Sequence, residues 1–126
     1  MMASFAKVLD GEVVTVMRAE SKYMENDFID NSPGEWVQCS YNTYAGVHYT
    51  NKTGKPSADQ SKALRKNFPS SGWKYDGTGF YPPKIYNSWT LNKDTYHWEA
   101  PVEAPSDYLG YNYNWNEEKQ TWDAVE

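Results

Sequence analysis

The stretch FAKVLDGEVVTVM, residues 5–17, decides the fold, because it places two runs of strand-forming residues on either side of Asp10-Gly11. An Asp-Gly pair between two such runs is the strongest short-range indication of a two-residue type I′ hairpin. Further along, EWVQCSY at 35–41 alternates in a way that predicts a third, half-buried strand. The N-terminal third of the chain is therefore predicted to form antiparallel β structure.

The second half of the chain repeats the hairpin pattern with aromatic residues. GWKYDGTGFYPP at 72–83 has rings on both sides of an Asp-Gly turn and finishes in two prolines, which end strand pairing. SWTLNKDTYHWEAP at 88–101 and YNYNWNEEKQTWDAVE at 111–126 share one layout. LNKDTYHWEA (91–100) aligns without a gap over WNEEKQTWDA (115–124) at an offset of 24 residues. This alignment predicts an internal repeat of one β-hairpin.

Two stretches between the hairpins lack the strand pattern. Residues 18–33, RAESKYMENDFIDNSP, are polar, with three apolar residues spaced for one face of a helical turn or two. Residues 50–62, TNKTGKPSADQSK, contain no large apolar side chain. They are predicted to form a surface loop, in which Ser57 offers the start of a short helix.

These patterns together predict a mainly β fold: a small single domain of antiparallel hairpins with at most a short helix, plus a C-terminal aromatic hairpin arm. The segment EAPVEAPSDYLG at 99–110 is acidic and contains two prolines, so it is not a central strand. We therefore predict a hairpin-rich core domain over 1–102 and a proline-linked arm over 103–126. Because an isolated hairpin is only marginally stable in water, the arm is expected to pack on something else.

The composition excludes several classes of function. The chain has 126 residues, with 12 Lys+Arg against 17 Asp+Glu and a net charge of −5, and no basic block, so a nucleic-acid partner is not expected. The longest apolar runs are far shorter than the roughly 18 to 20 residues of a membrane helix, and the N-terminus lacks a signal-peptide pattern. We expect a soluble product made in the cytoplasm, without a membrane partner.

Aromatic residues dominate the apolar composition. The 6 Trp, 11 Tyr and 4 Phe outnumber the Leu, Ile and Val residues together. Large rings bury much area each, and Trp and Tyr are also favoured at protein interfaces. The sequence therefore predicts a core built largely from rings, with some rings reserved for a partner.

No catalytic set can be assembled from the sequence. His48 is interpreted as a ring in a sheet bonded to a neighbour, His97 as an exposed residue of a hairpin, and the single cysteine, Cys39, as a small buried side chain. Two separated histidines and one cysteine do not make a zinc site. We predict neither an enzyme nor a metal or cofactor.

Several motifs in combination resemble a family of short proteins encoded by marine tailed phages, including cyanophages. The match covers most of the chain and is carried by SYNT (40–43), RKN (65–67), PPK (82–84) and SWTLNKDTYHWEAP (88–101). Where such proteins often have a cysteine before Trp-Glu-Ala-Pro, this chain has Tyr96-His97, which puts any chemistry of that thiol in doubt. The resemblance implies a phage origin and a place in the virion, and it implies no catalytic site.

The predicted function is that of a virion structural or accessory protein that binds a capsid or tail lattice, with head decoration preferred. The alternative is a carbohydrate- or receptor-binding module associated with a tail fibre. The expected partners are phage structural proteins, while self-association and glycan binding stay open. The expected contact residues are aromatic, and the competing interpretation is that they form the protein's own core: Tyr111, Tyr113, Trp115, Trp122, Trp89 and Trp98.

Overall fold

Strands dominate the computed structural model, which describes residues 2–50 and 53–125. Strand takes up 38% of the described residues and helix 5%, so the predicted mainly β class with at most a short helix is confirmed. The elements found within the described ranges are β1 (Met2–Leu9), β2 (Glu12–Glu20), α1 (Ser21–Asn26), β3 (Glu35–Cys39), β4 (Thr43–Tyr44), β5 (Val47–His48), β6 (Lys74–Tyr75), β7 (Phe80–Tyr81), β8 (Thr90–Asn92), β9 (His97–Glu99), β10 (Tyr113–Asn116) and β11 (Thr121–Ala124).

The chain packs as two compact units. Unit 1 consists of Met1–Pro83 with Lys93–His97, and unit 2 consists of Lys84–Asn92 with Trp98–Glu126. The boundary predicted at 102/103 falls inside unit 2, since the chain on both sides of it belongs to that unit. That 103–126 behaves as a separate arm stays a prediction.

A five-stranded antiparallel sheet in the order β3-β1-β2-β6-β7 forms the centre of unit 1. Asp10 and Gly11 both have positive φ, 51° and 77°, as the predicted two-residue turn between β1 and β2 requires. β2 continues to Glu20, beyond the predicted end at residue 17, because its last residues still pair with the start of β1. The hairpin is thus the longest strand pair of the sheet.

The core of unit 1 combines small aliphatic side chains with rings. Ala6 and Val37 lie opposite each other on neighbouring strands and are buried together with Val13, Cys39 and Phe80. The residues packed around them are Val8, Val16, Phe68, Trp73 and Tyr75. Rings supply four of these ten residues, and Phe80 itself lies on a strand of the sheet, so the core of unit 1 is mixed and not built largely from rings as predicted.

The other face of β1 carries a buried lysine that is neutralised locally. Lys7 is 9% exposed, and its Nζ lies 2.6 Å from Asp30 Oδ2 and also donates to the Ser32 hydroxyl. The Trp36 indole donates to the same Asp30 oxygen at 2.9 Å, and the Phe28 ring meets Trp36 edge-on at 5.5 Å. The segment after α1 therefore covers this face of the sheet.

The helix α1 itself is short. It spans six residues and lies where the sequence predicted one or two helical turns. In residues 2–50 and 53–125, no helix has the length and apolarity that crossing a membrane would require.

Asn67 joins three distant parts of unit 1. It is 1% exposed, and its amide Nδ2 donates to the carbonyls of Phe80 at 3.0 Å and Thr95 at 3.1 Å. Its Oδ1 accepts the Ala45 backbone N–H at 2.8 Å and the His97 ring Nε2 at 2.9 Å. The interpretation of His97 as an exposed hairpin residue is therefore wrong, because this bond holds the half-buried ring against Asn67.

The two residues before Asn67 adopt an unusual backbone. Arg65 and Lys66 have positive φ, 53° and 72°, which is uncommon outside glycine. Their carbonyls accept backbone N–H groups of Phe80 at 3.0 Å and Gly46 at 2.7 Å. The left-handed turn thus directs Asn67 inwards, while the carbonyls of Arg65 and Lys66 stay hydrogen-bonded.

The loop predicted at 50–62 is tied to β5 by side chains. Gln60 donates to the His48 carbonyl and accepts the His48 backbone N–H, and His48 Nδ1 lies 2.9 Å from Ser57 Oγ. The interpretation of His48 as a sheet residue bonded to a neighbour is confirmed. A helix beginning at Ser57 is not formed, and residues 51 and 52 of the predicted loop lie outside the described ranges.

We expect replacement of Asn67 by alanine to lower the free energy of unfolding of unit 1 by about 3–5 kcal/mol, because several buried backbone groups would lose their partner. The exposed Asn31 supplies the matched control, and Asn31→Ala should change stability little. Urea unfolding followed by reaction of the buried Cys39 thiol measures both. Equal effects of the two substitutions would contradict the assigned role.

The Lys7–Asp30 pair should make stability depend on pH. Hydrogen bonds from Lys7, then Ser32 and Trp36, hold the pKa of Asp30 well below its ordinary value of 3.8. A carboxyl group whose pKa is lower in the folded than in the unfolded protein stabilises the fold at pH values above its unfolded-state pKa. This contribution is lost progressively as the pH falls below about 4. Asp30→Asn should therefore destabilise the protein most at pH 7, and the destabilisation should shrink progressively below pH 4 and be clearly smaller at pH 2. Thermal unfolding of Asp27→Asn at pH 7 and pH 2 is the control.

Candidate binding site

The two C-terminal hairpins have the same geometry. Four-residue turns separate β8 from β9 and β10 from β11, and each turn ends in a left-handed residue, Tyr96 at φ 57° and Gln120 at φ 53°. The strands carry equivalent cross-strand bonds: Asn92 Nδ2 donates to Glu99 at 3.2 Å, and Asn116 Nδ2 donates to Asp123 at 2.9 Å. The internal repeat predicted at an offset of 24 residues is therefore confirmed.

Three tryptophans form the centre of unit 2. Trp115 and Trp122 face each other across β10 and β11, with ring centroids 5.1 Å apart. Trp89 lies 5.9 Å from Trp115 and 6.0 Å from Trp122. The interplanar angles of 59° to 82° are the inclined, edge-directed arrangements that aromatic quadrupoles favour. We call these three residues the tryptophan cluster.

A fourth ring extends the cluster towards the 102–112 segment. Tyr108 lies 5.2 Å from Trp122 and 6.5 Å from Tyr113. The Tyr113 hydroxyl donates to Asp107 at 2.8 Å, and this bond, followed by burial, raises the pKa of Tyr113. The segment before β10 is thus packed on the hairpin by rings and held by a charged hydrogen bond.

Glu117 anchors the cluster through its carboxylate. Oε1 accepts the Trp115 indole N–H at 2.9 Å and the Ser88 hydroxyl at 2.5 Å, while Oε2 accepts the Ser88 backbone N–H at 3.0 Å. These bonds, that from the Ser88 side chain first, lower the pKa of Glu117. The first turn residue of the last hairpin therefore fixes the chain just before Trp89.

The other two indoles of the cluster differ in their polar contacts. Trp122 Nε1 donates to the Val102 carbonyl at 2.9 Å. Trp89 Nε1 is buried and has no hydrogen-bond partner among the described residues. Two of the three indoles are thus held in one orientation by directed bonds.

The structure distributes the six predicted contact residues unevenly. Trp89, Trp115 and Trp122 are half-buried in the tryptophan cluster, and Tyr113 joins it through Tyr108. Trp98 is also half-buried, and the Lys84 ammonium lies 5.5 Å from its ring centroid. Tyr111, in contrast, is 76% exposed. A role of these six residues in binding a partner stays a prediction.

Sequence reasoning selected Tyr111 but missed the exposed apolar residues that accompany it around Trp122 and Asn112, and we call the whole group the unit 2 patch. Trp122 contacts the Tyr108 ring and the Val102 carbonyl, and Asn112 bonds the backbones of Leu109 and Val125. Its members are 40% to 76% exposed and comprise Val102, Tyr108, Leu109, Tyr111 and Val125. The sequence YLGY at 108–111 could have revealed the patch, because a glycine in a turn exposes the apolar residues on either side of it to solvent.

The residues of unit 1 that were considered for catalysis, Cys39 and His48, have structural roles. Burial raises the pKa of Cys39 to about 12, so the thiol stays protonated at neutral pH, as expected for a small buried side chain. The Ser57 hydroxyl beside His48 also lies within bonding distance of the His48 and Asp59 carbonyls, where it closes the loop. No group of three or more His, Cys, Asp or Glu residues within the described chain is placed to hold a metal ion.

Comparison of this chain with protein-family models, with curated protein sequences and with solved structures finds no match.

We expect Glu117→Ala to loosen unit 2, because the substitution leaves the Trp115 indole and the Ser88 backbone without their acceptor. The neighbouring Glu118 is exposed, so Glu118→Ala is a control with the same change of charge. Hydrogen exchange of the amides at 113–124 should accelerate in the first variant and remain unchanged in the second. Equal exchange in both variants would show that Glu117 does not anchor the cluster.

Proposed function

We propose that this protein is a binding subunit of a larger protein assembly and that the unit 2 patch makes the contact. The supporting observation is the exposure of neighbouring apolar side chains, led by Tyr111 at 76% and Leu109 at 65%. Monomeric proteins rarely leave large contiguous apolar surface in water, and exposed aromatic residues with a polar surround are typical of protein interfaces. Tyr108 and Val102 of the patch contact Trp122 of the tryptophan cluster, so this part of the patch is held in place before a partner binds.

The proposed assembly is a phage virion, in which the protein is a structural or accessory component. The resemblance to marine tailed-phage proteins supports this context, and head decoration is preferred to attachment at the tail. A small hairpin protein without heptad or collagen-like repeats suits decoration of a lattice better than a fibrous shaft. The proposal assigns no catalytic activity.

The carbohydrate-binding alternative ranks second. Stacking on sugars needs flat rings open to solvent, whereas the cluster tryptophans are half-buried and inclined towards one another. Tyr111 is the predicted contact residue whose ring is mostly exposed. One such ring beside aliphatic side chains fits a protein surface better than a sugar-binding platform.

The proposal is tested by counting this protein in purified particles of the encoding phage, by quantitative mass spectrometry against the major capsid protein. Hundreds of copies, about one per capsid subunit, are expected for head decoration, and about six to a few tens for a tail or fibre component. Absence from the particle would overturn the proposed virion role.

The same measurement on variants tests the patch. Phage carrying Leu109→Ser with Tyr111→Ser should lose most copies of the protein, because both changes remove apolar area from the contact. Val14→Ser, which alters a residue of β2 that is 50% exposed in unit 1, is the control and should leave the copy number unchanged. Retention of the double variant at the normal copy number would exclude the patch as the contact surface.

A further inference from the structure

Unit 1 carries an open groove of about 1130 Å³ that is lined by residues of β1, β2 and β3 and of the loops beside them. In the strand register, Ser4 of β1 pairs with Arg18 of β2 and with Cys39 of β3, and all three line the groove. Leu64 and Phe68 add apolar surface to the lining. Pockets for small molecules usually measure about 300–1,000 Å³, so the groove has room for a segment of polypeptide.

The groove is free of acidic side chains in an acidic protein. The chain contains 17 Asp and Glu residues, yet none of the described residues that line the groove is acidic, while Arg18 and Lys62 do line it. Neither cation forms an ion pair within residues 2–50 and 53–125. Asp59, whose pKa is lowered chiefly by the Ser61 backbone N–H and less by Lys62, lies outside the lining. The groove is therefore electrostatically suited to an anionic segment.

The net charge of the protein belongs to unit 2. Unit 1 has ten acidic and ten basic residues, whereas unit 2 has seven acidic residues and two lysines, which accounts for the whole charge of −5. Within unit 2, EAPVEAPSD at 99–107 combines three acidic residues with two prolines and no basic residue. Val102 in the middle of this segment is 46% exposed.

We propose that the groove of one copy binds the segment 99–107 of a second copy. The carboxylates of the segment would face Arg18 and Lys62, and Val102 would contact the apolar lining. The Val102 carbonyl already accepts the Trp122 indole N–H and Asp107 already accepts the Tyr113 hydroxyl, so the segment is held in place and little conformational entropy is lost on binding. Because the groove and the segment are different surfaces, the contact is head-to-tail and adds copies in sequence.

This inference rests on the proposed function, because Val102 also belongs to the unit 2 patch. For Val102, the partner that it names is a second copy of the chain. The two proposals remain separable. Copy number in the virion tests the assembly role, whereas association of the purified chain in solution tests the head-to-tail contact.

The experiment is light scattering coupled to size-exclusion chromatography of the full chain, across protein concentration and at low and high salt. The wild type should associate with rising concentration, and high salt should weaken the association because the charges are exposed. Arg18→Glu with Lys62→Glu, and separately Glu99→Lys with Glu103→Lys, should each weaken it by about tenfold or more, since like charges then meet. An equimolar mixture of these two variants should associate again, because both of its contacts pair opposite charges.

Lys22→Glu with Lys55→Glu is the control for the groove variant. It changes the net charge by the same amount as Arg18→Glu with Lys62→Glu, and neither Lys22 nor Lys55 lines the groove. Near-UV circular dichroism confirms that every variant is folded. A wild-type chain that stays monomeric at all concentrations would overturn the proposal. So would equal weakening by the control, or a mixture of the two charge variants that does not associate.

Discussion

The buried amide of Asn67 is the interaction on which the arrangement of unit 1 depends. The side chain donates to carbonyls around Phe80 and Thr95 and accepts N–H groups from Ala45 and His97. A buried amide stabilises a fold only when its groups are paired, and an unpaired one is costly. Each of the three chain segments that meet at Asn67 must therefore hold its place, which turns short and individually weak hairpins into one unit.

Unit 2 is held together in a different way. Its strands are only three to four residues long, and the tryptophan cluster supplies the apolar contacts that a larger aliphatic core would provide elsewhere. Large rings bury much area per residue, which suits a unit too small for several layers of aliphatic packing. The Glu117 carboxylate and the Val102 carbonyl then orient two of the indoles. The many aromatic residues of unit 2 thus compensate for the small apolar area that its short strands could otherwise bury.

The features predictable from the sequence were those set by residues close together in the chain. The turn at Asp10-Gly11 and the repeated C-terminal hairpins follow from local turn chemistry and spacing, and the structure contains them. The role of Asn67 was not predictable, because its partners near Thr95 lie 28 residues away and a polar side chain in RKN suggests a surface position. For the same reason His97 was misjudged: alternation within its hairpin gives no information about a distant amide.

The site could be predicted in part. Sequence reasoning selected the aromatic residues of the last hairpin, but it could not separate the rings that build unit 2 from those that face solvent. Packing makes that separation: the three cluster tryptophans turn towards one another, and the loop around Gly110 presents Leu109 and Tyr111.

The cluster also determines where the unit 2 patch lies, because Trp122 holds Tyr108 and the Val102 carbonyl beside its indole. Loops usually carry binding residues on a rigid scaffold. Here the scaffold is the aromatic repeat itself. Substitutions in the loop can therefore change the partner without weakening the cluster, whereas a substitution of Trp122 alters the core and the surface together.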